Sequence, residues 1–272
     1  AIKSFPDLDF NYVKKIDEFN ADYVFILDKP SISKEFVMEV EKRNIPIVWI
    51  DHHEVNKSIE SSFLHYYNPL FSKQKSNEPV SCISYYIVNN KEDIWLAMAG
   101  CIGDNFLPDF FQEFSKKYNY LLNKNANSAF EILYESEFGK LIAILDFALK
   151  DRTSNVVGMI NYLFEVNNPS DILIENDKNS KILYRYEQIN KVYSKLLDKA
   201  KKVARTYKKV IFFQYGGDMS LSADLANELS YRFPGKIILV AYINGGVVNL
   251  SIRGKEDIRK VHLESWNGLK SM

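Results

Sequence analysis

The triplet Asp51-His52-His53, which directly follows an apolar run, is the strongest chemical signal in the sequence. A carboxylate and two imidazoles, with no thiolate among them, suit a hard or borderline divalent ion such as Mn²⁺ or Mg²⁺. Neighbouring side chains within a strand point to opposite faces, but at a strand end all three can turn into one cleft. A simple turn would tolerate the same triplet, so its interpretation depends on the residues around it.

Two further acids end apolar segments in the first half of the chain. Asp28 follows the β-favouring run 23–27, and Asp104 follows Gly103 after the apolar segment 96–102. Parallel strands bring ligands to the sheet edge at their carboxyl ends, so Asp28 and Asp51 are expected side by side, with Asp104 nearby. Unpaired carboxylates raise one another's pKa, and a divalent cation relieves that repulsion. The pattern therefore predicts a metal site.

Hydrophobic periodicity predicts the elements that position these residues. The runs 23–27 and 45–50 are continuous and apolar, and residues 33–43 between them have helical spacing. This alternation predicts a βαβ unit in a parallel sheet that is buried on both faces. Further helices are predicted over 78–89, 93–103 and 123–164.

A long charged stretch divides this half of the sequence from a second α/β pattern. Residues 180–205 predict a connector helix, whose basic residues are either a solvated face or an electrostatic track for a nucleic-acid strand. The elements predicted after it are a strand, a helix and two strands, over 210–213, 222–233, 237–242 and 247–253. The expected fold class is α/β with two lobes. The predicted parts are a parallel-sheet domain, a connector helix and a smaller α/β domain, over 1–180, 181–206 and 207–272.

Composition limits the classes of function. The chain has 272 residues, of which 46% are hydrophobic and 26% charged, as in globular proteins. Lys+Arg and Asp+Glu number 35 each, so a globally basic nucleic-acid binder is disfavoured while a local basic groove remains allowed. The two cysteines form no disulfide framework and fit a reducing compartment. With no signal peptide and no apolar run of about 20 residues, we expect a cytoplasmic protein that does not contact membranes.

Taken together, the motifs of the first half resemble those of the DHH phosphoesterase superfamily. This superfamily includes RecJ-type exonucleases, nanoRNases and cyclic-dinucleotide phosphodiesterases. Asp28 matches the acid of its second motif, Asp51-His52-His53 the third, and Gly103-Asp104 the fourth. The resemblance implies that Asp28 bridges two Mn²⁺ or Mg²⁺ ions, that His52 and Asp104 ligate one of them, that His53 contacts the scissile phosphate, and that Asp51 orients its neighbours. Two ions of this kind activate water and stabilise the leaving oxygen.

The second half resembles the DHH-associated C-terminal domain in its RecJ-like form. The resemblance rests on Gly245-Gly246 followed by Ser251-Ile252-Arg253. It implies that Gly245, Gly246 and Arg253 bind substrate, with the planar guanidinium making a bidentate contact to a phosphate. In the first half, Asn68-Pro69 and the segment 78–81 resemble the loop and helix that follow the third motif.

Two departures from the family pattern bear on activity. The family's first motif is a strand followed by Asp-x-Asp, but Asp7-Leu8-Asp9 has no strand before it and lies too close to Asp28. We interpret this pair as a surface or helix-cap element, so the true motif either precedes Ala1 or has been lost. The C-terminal segment also lacks the family's glycine-rich stretch with a histidine. His262 is interpreted as an ordinary histidine, and His65 as a packing residue.

These observations leave three hypotheses about function. The leading one is a metal-dependent RecJ-like exonuclease that hydrolyses single-stranded DNA, RNA or short oligonucleotides. A second is an inactive scaffold that binds GINS or other replisome proteins, which the missing first motif favours. The third is a phosphoesterase that acts on cyclic dinucleotides or nucleotides.

Overall fold

The computed structural model describes residues 8–54, 59–73, 75–124, 126–206 and 209–254. The chain divides into two compact units, residues 1–179 and 180–272, and the long helix after residue 179 packs with the second. The α/β fold class is confirmed, because a parallel three-stranded sheet is followed by many helices and a second, mixed sheet. In the described ranges, none of the helices has the length and apolarity that crossing a bilayer requires.

The sheet of the first unit consists of three parallel strands in the order β1-β2-β3. They are β1 (Val24–Leu27), β2 (Ile47–Ile50) and β3 (Leu64–Tyr67). Leu27 pairs with Ile50, which in turn pairs with Tyr67, so the three strands end at the same level. Sequence periodicity predicted β1 and β2 but not β3.

Nine α-helices of the first unit are described. Their bounds are α1 (Val13–Glu18), α2 (Lys34–Glu41), α3 (Val80–Val88), α4 (Ile94–Gly103), α5 (Phe111–Lys117), α6 (Ala129–Glu135), α7 (Glu137–Leu149), α8 (Thr153–Leu163) and α9 (Ser170–Leu173). The buried side of α2 packs with β1 and β2 in one apolar cluster. The chain from β1 through α2 to β2 is therefore the βαβ unit that the alternating pattern predicted.

The expectation that the sheet is buried on both faces was only partly right. The side chains of Ile47 and Trp49 on β2 are buried, but Phe25 and Leu27 on β1 are 64% and 48% exposed. A groove of about 430 Å³ runs beside β1. Within the described residues β1 pairs with β2 alone and is an edge strand there, and its side with Phe25 and Leu27 is uncovered.

The single helical stretch predicted over 123–164 is three helices, because Ser136 separates α6 from α7 and residues 150–152 separate α7 from α8. Its Oγ accepts a hydrogen bond from the backbone N–H of Gly139 at 3.0 Å, which caps the start of α7. A Cβ at Gly139 would collide with the carbonyl oxygen of Leu133, so a glycine is needed where α7 leaves α6. The chain turns sharply here and a continuous helix is impossible.

The second unit contains α10 (Ser180–Thr206), β4 (Val210–Gly216), α11 (Ser222–Arg232), β5 (Ile237–Asn244) and β6 (Val247–Arg253). Its sheet has the order β4-β5-β6, with β4 parallel to β5 and β6 antiparallel to β5. Asn244 pairs with Val247, which leaves Gly245 and Gly246 as a two-residue turn. Both glycines have positive φ, 55° and 83°, as the tight hairpin turn that matches strand twist requires.

Candidate metal centre

The sheet of the first unit places Asp28 and Asp51 next to each other. The backbone N–H of Asp28 donates to the Ile50 carbonyl at 3.0 Å, and that of Asp51 donates to the Tyr67 carbonyl at 3.1 Å. Asp28 adopts the left-handed conformation, φ 56°, which few residues other than Gly, Asn and Asp tolerate. The backbone therefore changes direction at Asp28, directly after the last residue of β1.

Asp28, His52 and His53 form the candidate metal centre. One ligand atom from each lies within 4.8 Å of the others. Asp28 Oδ1 is 3.4 Å from His52 Nε2 and 3.9 Å from His53 Nδ1. The carboxylate of Asp28 is 55% exposed, so it is open to an incoming ion. The Asp28 carboxylate and the His52 imidazole are donors that Mn²⁺ accepts.

Asp51 lies beneath this cluster and holds His53. Its side chain is fully buried, with Oδ1 2.7 Å from His53 Nδ1 and Oδ2 accepting the backbone N–H of His53 at 3.1 Å. A carboxylate accepts hydrogen bonds, so this contact favours the proton on Nδ1 and leaves Nε2 on the outer side of the ring. Such a carboxylate–histidine pair fixes the ring's tautomer and orientation.

Asp104, the residue after α4, faces the same cluster. Its pKa is raised above the ordinary aspartate value, first by burial among protein atoms and then by the negative charge of Asp28. His52 and His53 act in the opposite direction. The surface of Asp104 is nevertheless exposed to solvent, and the residue lies outside the tight group of three. A carboxyl group whose charge is disfavoured by a neighbouring carboxylate suits a site for a cation.

The predicted site set omitted Asn68, which supports the loop that carries His53. Asn68 is buried, and its Nδ2 donates to the His53 carbonyl and to the Tyr66 hydroxyl, both at 2.9 Å. Its Oδ1 accepts the backbone N–H of Leu70 at 3.0 Å and caps a short 3-10 helix, Pro69–Phe71. The signal was present in the sequence, because Asn before Pro is typical of a capped turn.

The structure does not bring together the predicted substrate-binding residues of the second unit. Gly245 and Gly246 form the turn at the start of β6, whereas Arg253 ends that strand, about 20 Å away at the usual rise per residue. The guanidinium of Arg253 donates from Nε to Asn227 Oδ1 at 2.6 Å and from Nη1 to its neighbour's carbonyl. Arg253 is thus held in place, while the glycines have a conformational role in the turn.

The other residues singled out by the sequence have ordinary positions. Asp9 caps the short 3-10 helix Phe10–Tyr12 by accepting a backbone N–H, as expected of a helix-cap element. His65, interpreted as a packing residue and not a ligand, is exposed on β3 and is not part of the group of three around Asp28. Asp7, His262 and the segment 266–272 lie outside the described residues.

Solved structures with a similar fold include two RecJ proteins. RecJ in complex with Mn²⁺ from Thermus thermophilus matches with a TM-score of 0.59 and 10% identity, over 93% of this chain and 41% of that one. Exonuclease RecJ bound to manganese matches with a TM-score of 0.51 and 12% identity, over 91% of this chain and 66% of that one. This chain therefore spans less than two thirds of either protein. No protein-family model and no curated protein sequence matches it.

Proposed function

We propose that this protein is a divalent-metal-dependent phosphodiesterase of the RecJ type, which hydrolyses single-stranded nucleic acid or short oligonucleotides. The observation that carries the proposal is the cluster of Asp28, His52 and His53 within 4.8 Å at the carboxyl ends of parallel strands. That edge is where open α/β sheets bind their ligands. The manganese named in both RecJ structures supports the choice of metal.

In this proposal Asp28 and His52 of the cluster, together with Asp104 outside it, are metal ligands, and His53 is a phosphate contact. Asp28, His52 and Asp104 would hold the metal, since their carboxylates and imidazole are the donors that Mn²⁺ and Mg²⁺ accept. When bound, divalent ions supply Lewis-acid stabilisation of the phosphoryl oxygens and a water that is deprotonated near neutral pH. A second ion, as implied by the DHH resemblance, would share Asp28.

His53 and Asp51 would act on the substrate as a pair. Asp51 fixes the Nδ1 side of the His53 ring at 2.7 Å, so Nε2 is the atom that can contact a phosphate oxygen. Phosphate oxygens only accept hydrogen bonds, so this contact needs a proton on Nε2 as well as on Nδ1. In this arrangement Asp51 is a positioning residue, and His53 touches the substrate.

The experiment that tests the proposal is hydrolysis of end-labelled single-stranded DNA and RNA with Mn²⁺, Mg²⁺ or EDTA. We expect trimming with Mn²⁺ or Mg²⁺ and none with EDTA. The variant His52→Ala removes a metal ligand and should abolish the activity. The matched control is His65→Ala, which removes an exposed histidine from β3 of the same sheet and should leave the rate unchanged.

The products identify the preferred sugar and the direction of digestion. If the protein cleaves nothing with any of these metals, or if both histidine variants lose activity equally, the proposal fails. Protein that begins at the gene's own start codon should be used, so that any ligands encoded before Ala1 are present.

A further inference from the structure

The helix α10 has an unusual distribution of charge. It contains six lysines and two arginines but only two acids, Glu187 and Asp198, although the whole chain carries no net charge. Five of its lysines share one face, which we call the basic stripe: Lys181, Lys191, Lys195, Lys199 and Lys202. With 3.6 residues per turn these five fall within an arc of about 80°.

The basic stripe lies on the side of α10 that faces away from its buried residues. The buried residues Ile182, Ile189 and Ala200 are rotated from the centre of the stripe by roughly 120–140°. All five stripe lysines are exposed, and none forms an ion pair within the part of the chain that the structure describes. Asp198 lies 4.0 Å from Lys201, which is outside the stripe. The positive charges of the stripe are therefore not neutralised by the helix itself.

The stripe is long and also contains an aromatic ring. From Lys181 to Lys202 it extends about 31 Å at 1.5 Å per residue. Tyr184 lies on the same face with 64% of its surface exposed, and Gln188 follows one turn later. A row of cations beside an exposed aromatic ring combines backbone neutralisation with base stacking.

We propose that the basic stripe of α10 binds the phosphate backbone of a single nucleic-acid strand, with a base stacked on Tyr184. This inference deepens the proposed function and rests on it for the choice of nucleic acid as partner. A single strand is favoured over a duplex, because the exposed ring needs an unpaired base face and a duplex offers none along its side. Each lysine of the stripe contacts about one phosphate.

Salt dependence tests the contact without relying on catalysis. The probe is a fluorescent oligothymidylate of about 16 nucleotides, and its anisotropy is followed in EDTA between about 50 and 200 mM salt. The stripe variant carries Lys191→Gln, Lys195→Gln, Lys199→Gln and Lys202→Gln. We expect its affinity to fall roughly 10-fold or more, and its salt slope to drop by about 0.7 for each lysine.

A matched variant separates the stripe from charge in general. Lys14→Gln, Lys34→Gln, Lys116→Gln and Lys140→Gln remove the same charge from exposed lysines of the first unit that form no ion pair among the described residues. This control should bind with nearly the wild-type slope. Equal slopes for both quadruple variants would overturn the proposal, since the stripe would then contribute only net charge.

A separate prediction concerns the exposed ring of Tyr184. Tyr184→Ala should weaken binding about fivefold or more, as loss of one stacked base does, while the salt slope stays the same. The control Phe164→Ala removes an exposed ring, 85% accessible, from the first unit and should change nothing. A stripe that binds a duplex or anionic phosphatidylserine vesicles as tightly as the single strand would also overturn the assignment.

These outcomes are independent of the test of hydrolysis. If wild-type protein cleaves a dinucleotide with Mn²⁺ but the stripe variant keeps its salt slope, the stripe proposal fails and the phosphodiesterase proposal stands. If nothing is cleaved but the slope still depends on the stripe, the reverse holds.

Discussion

The two sheets have three strands each, yet they distribute their candidate functional residues differently. In the first unit all strands run parallel, so Asp28, Asp51 and Asn68 leave β1, β2 and β3 at one level. In the second unit β6 runs against β5, so the Gly245-Gly246 turn that follows β5 and the Arg253 that ends β6 lie at opposite edges of the sheet. The direction of the strands decides whether residues at strand ends collect at one edge or separate.

This difference teaches where chemistry and binding should be sought. A parallel sheet brings the end of every strand to the same edge and can assemble a cluster from residues far apart in sequence. The mixed sheet of the second unit offers one anchored cation, Arg253, instead of a cluster. We therefore expect changes at the first sheet to affect turnover, and changes at the second to affect substrate affinity.

The largest expected effect contrasts Asp28 with Arg253. Asp28→Asn keeps the size of the side chain but removes the ligand charge, so kcat on a short oligonucleotide with Mn²⁺ should fall by more than about 100-fold. Arg253→Gln should raise KM about 10-fold or more and leave kcat nearly unchanged, because a charged hydrogen bond contributes about 1.5–3 kcal/mol of binding. Steady-state kinetics measures both, and a comparable loss of kcat in Arg253→Gln would break the contrast between the sheets.

A smaller effect on activity is expected from Asp51, which holds His53. Asp51→Asn weakens the hold on His53 and should cost about 10–100-fold in activity, as loss of an orienting carboxylate does. A urea titration of the folded variant would establish that the loss is not caused by unfolding. The exposed change Asp17→Asn is the control and should retain full activity.

Substituting one glycine in each unit compares the two units through the free energy of unfolding. Gly246→Ala places a Cβ at φ 83° and should destabilise the protein by about 1–2 kcal/mol, although no atom lies within 4 Å to clash with it. Gly158→Ala in α8 also meets no atom, but its backbone is helical, so it should stabilise by about 0.5–1 kcal/mol. Denaturant unfolding of the two variants should give opposite signs. The same sign for both would contradict the hairpin assignment.

The smallest expected effect is a pH dependence of the stability of the first unit. Hydrogen bonds from Arg43 lower the pKa of Asp17, and those from Lys42 and Arg43 lower the pKa of Glu39. Depressed carboxyl pKa values stabilise the fold above the ordinary values near 4, and this contribution is lost as the pH falls through the depressed values. Asp17 and Lys42 are exposed and Glu39 and Arg43 are only partly buried, so the gain is modest. Arg43→Gln should therefore lower the urea midpoint at pH 6 and make less difference at pH 3.

The sequence predicted the parts of the site that depend on continuous apolar runs. Each run ended at an acid, and the parallel register places Asp28 beside Asp51 as expected. The strand β3 was missed because Leu64–Tyr67 alternates half-buried and exposed residues at a sheet edge and contains no apolar run. Asn68, which follows that strand, was consequently omitted from the site.

Other differences arose from interactions that periodicity does not encode. The helical pattern over 123–164 continues through Ser136, and only the cap to Gly139 shows that the chain turns there. The uncovered side of β1 could not be anticipated from composition, because Phe25 and Leu27 are as apolar as the residues of a buried strand. Patterns report what a strand can bury, whereas its neighbours decide what it does bury.

The left-handed backbone at Asp28 also restricts which residue types position 28 can accept. A library randomised there and selected for folding alone should return mainly Gly, Asn and Asp, since other side chains are strained at φ 56°. Selection for metal-dependent turnover should then retain Asp alone, because the other two lack a carboxylate. Stability alone would thus allow three residue types at position 28, whereas activity would allow only one.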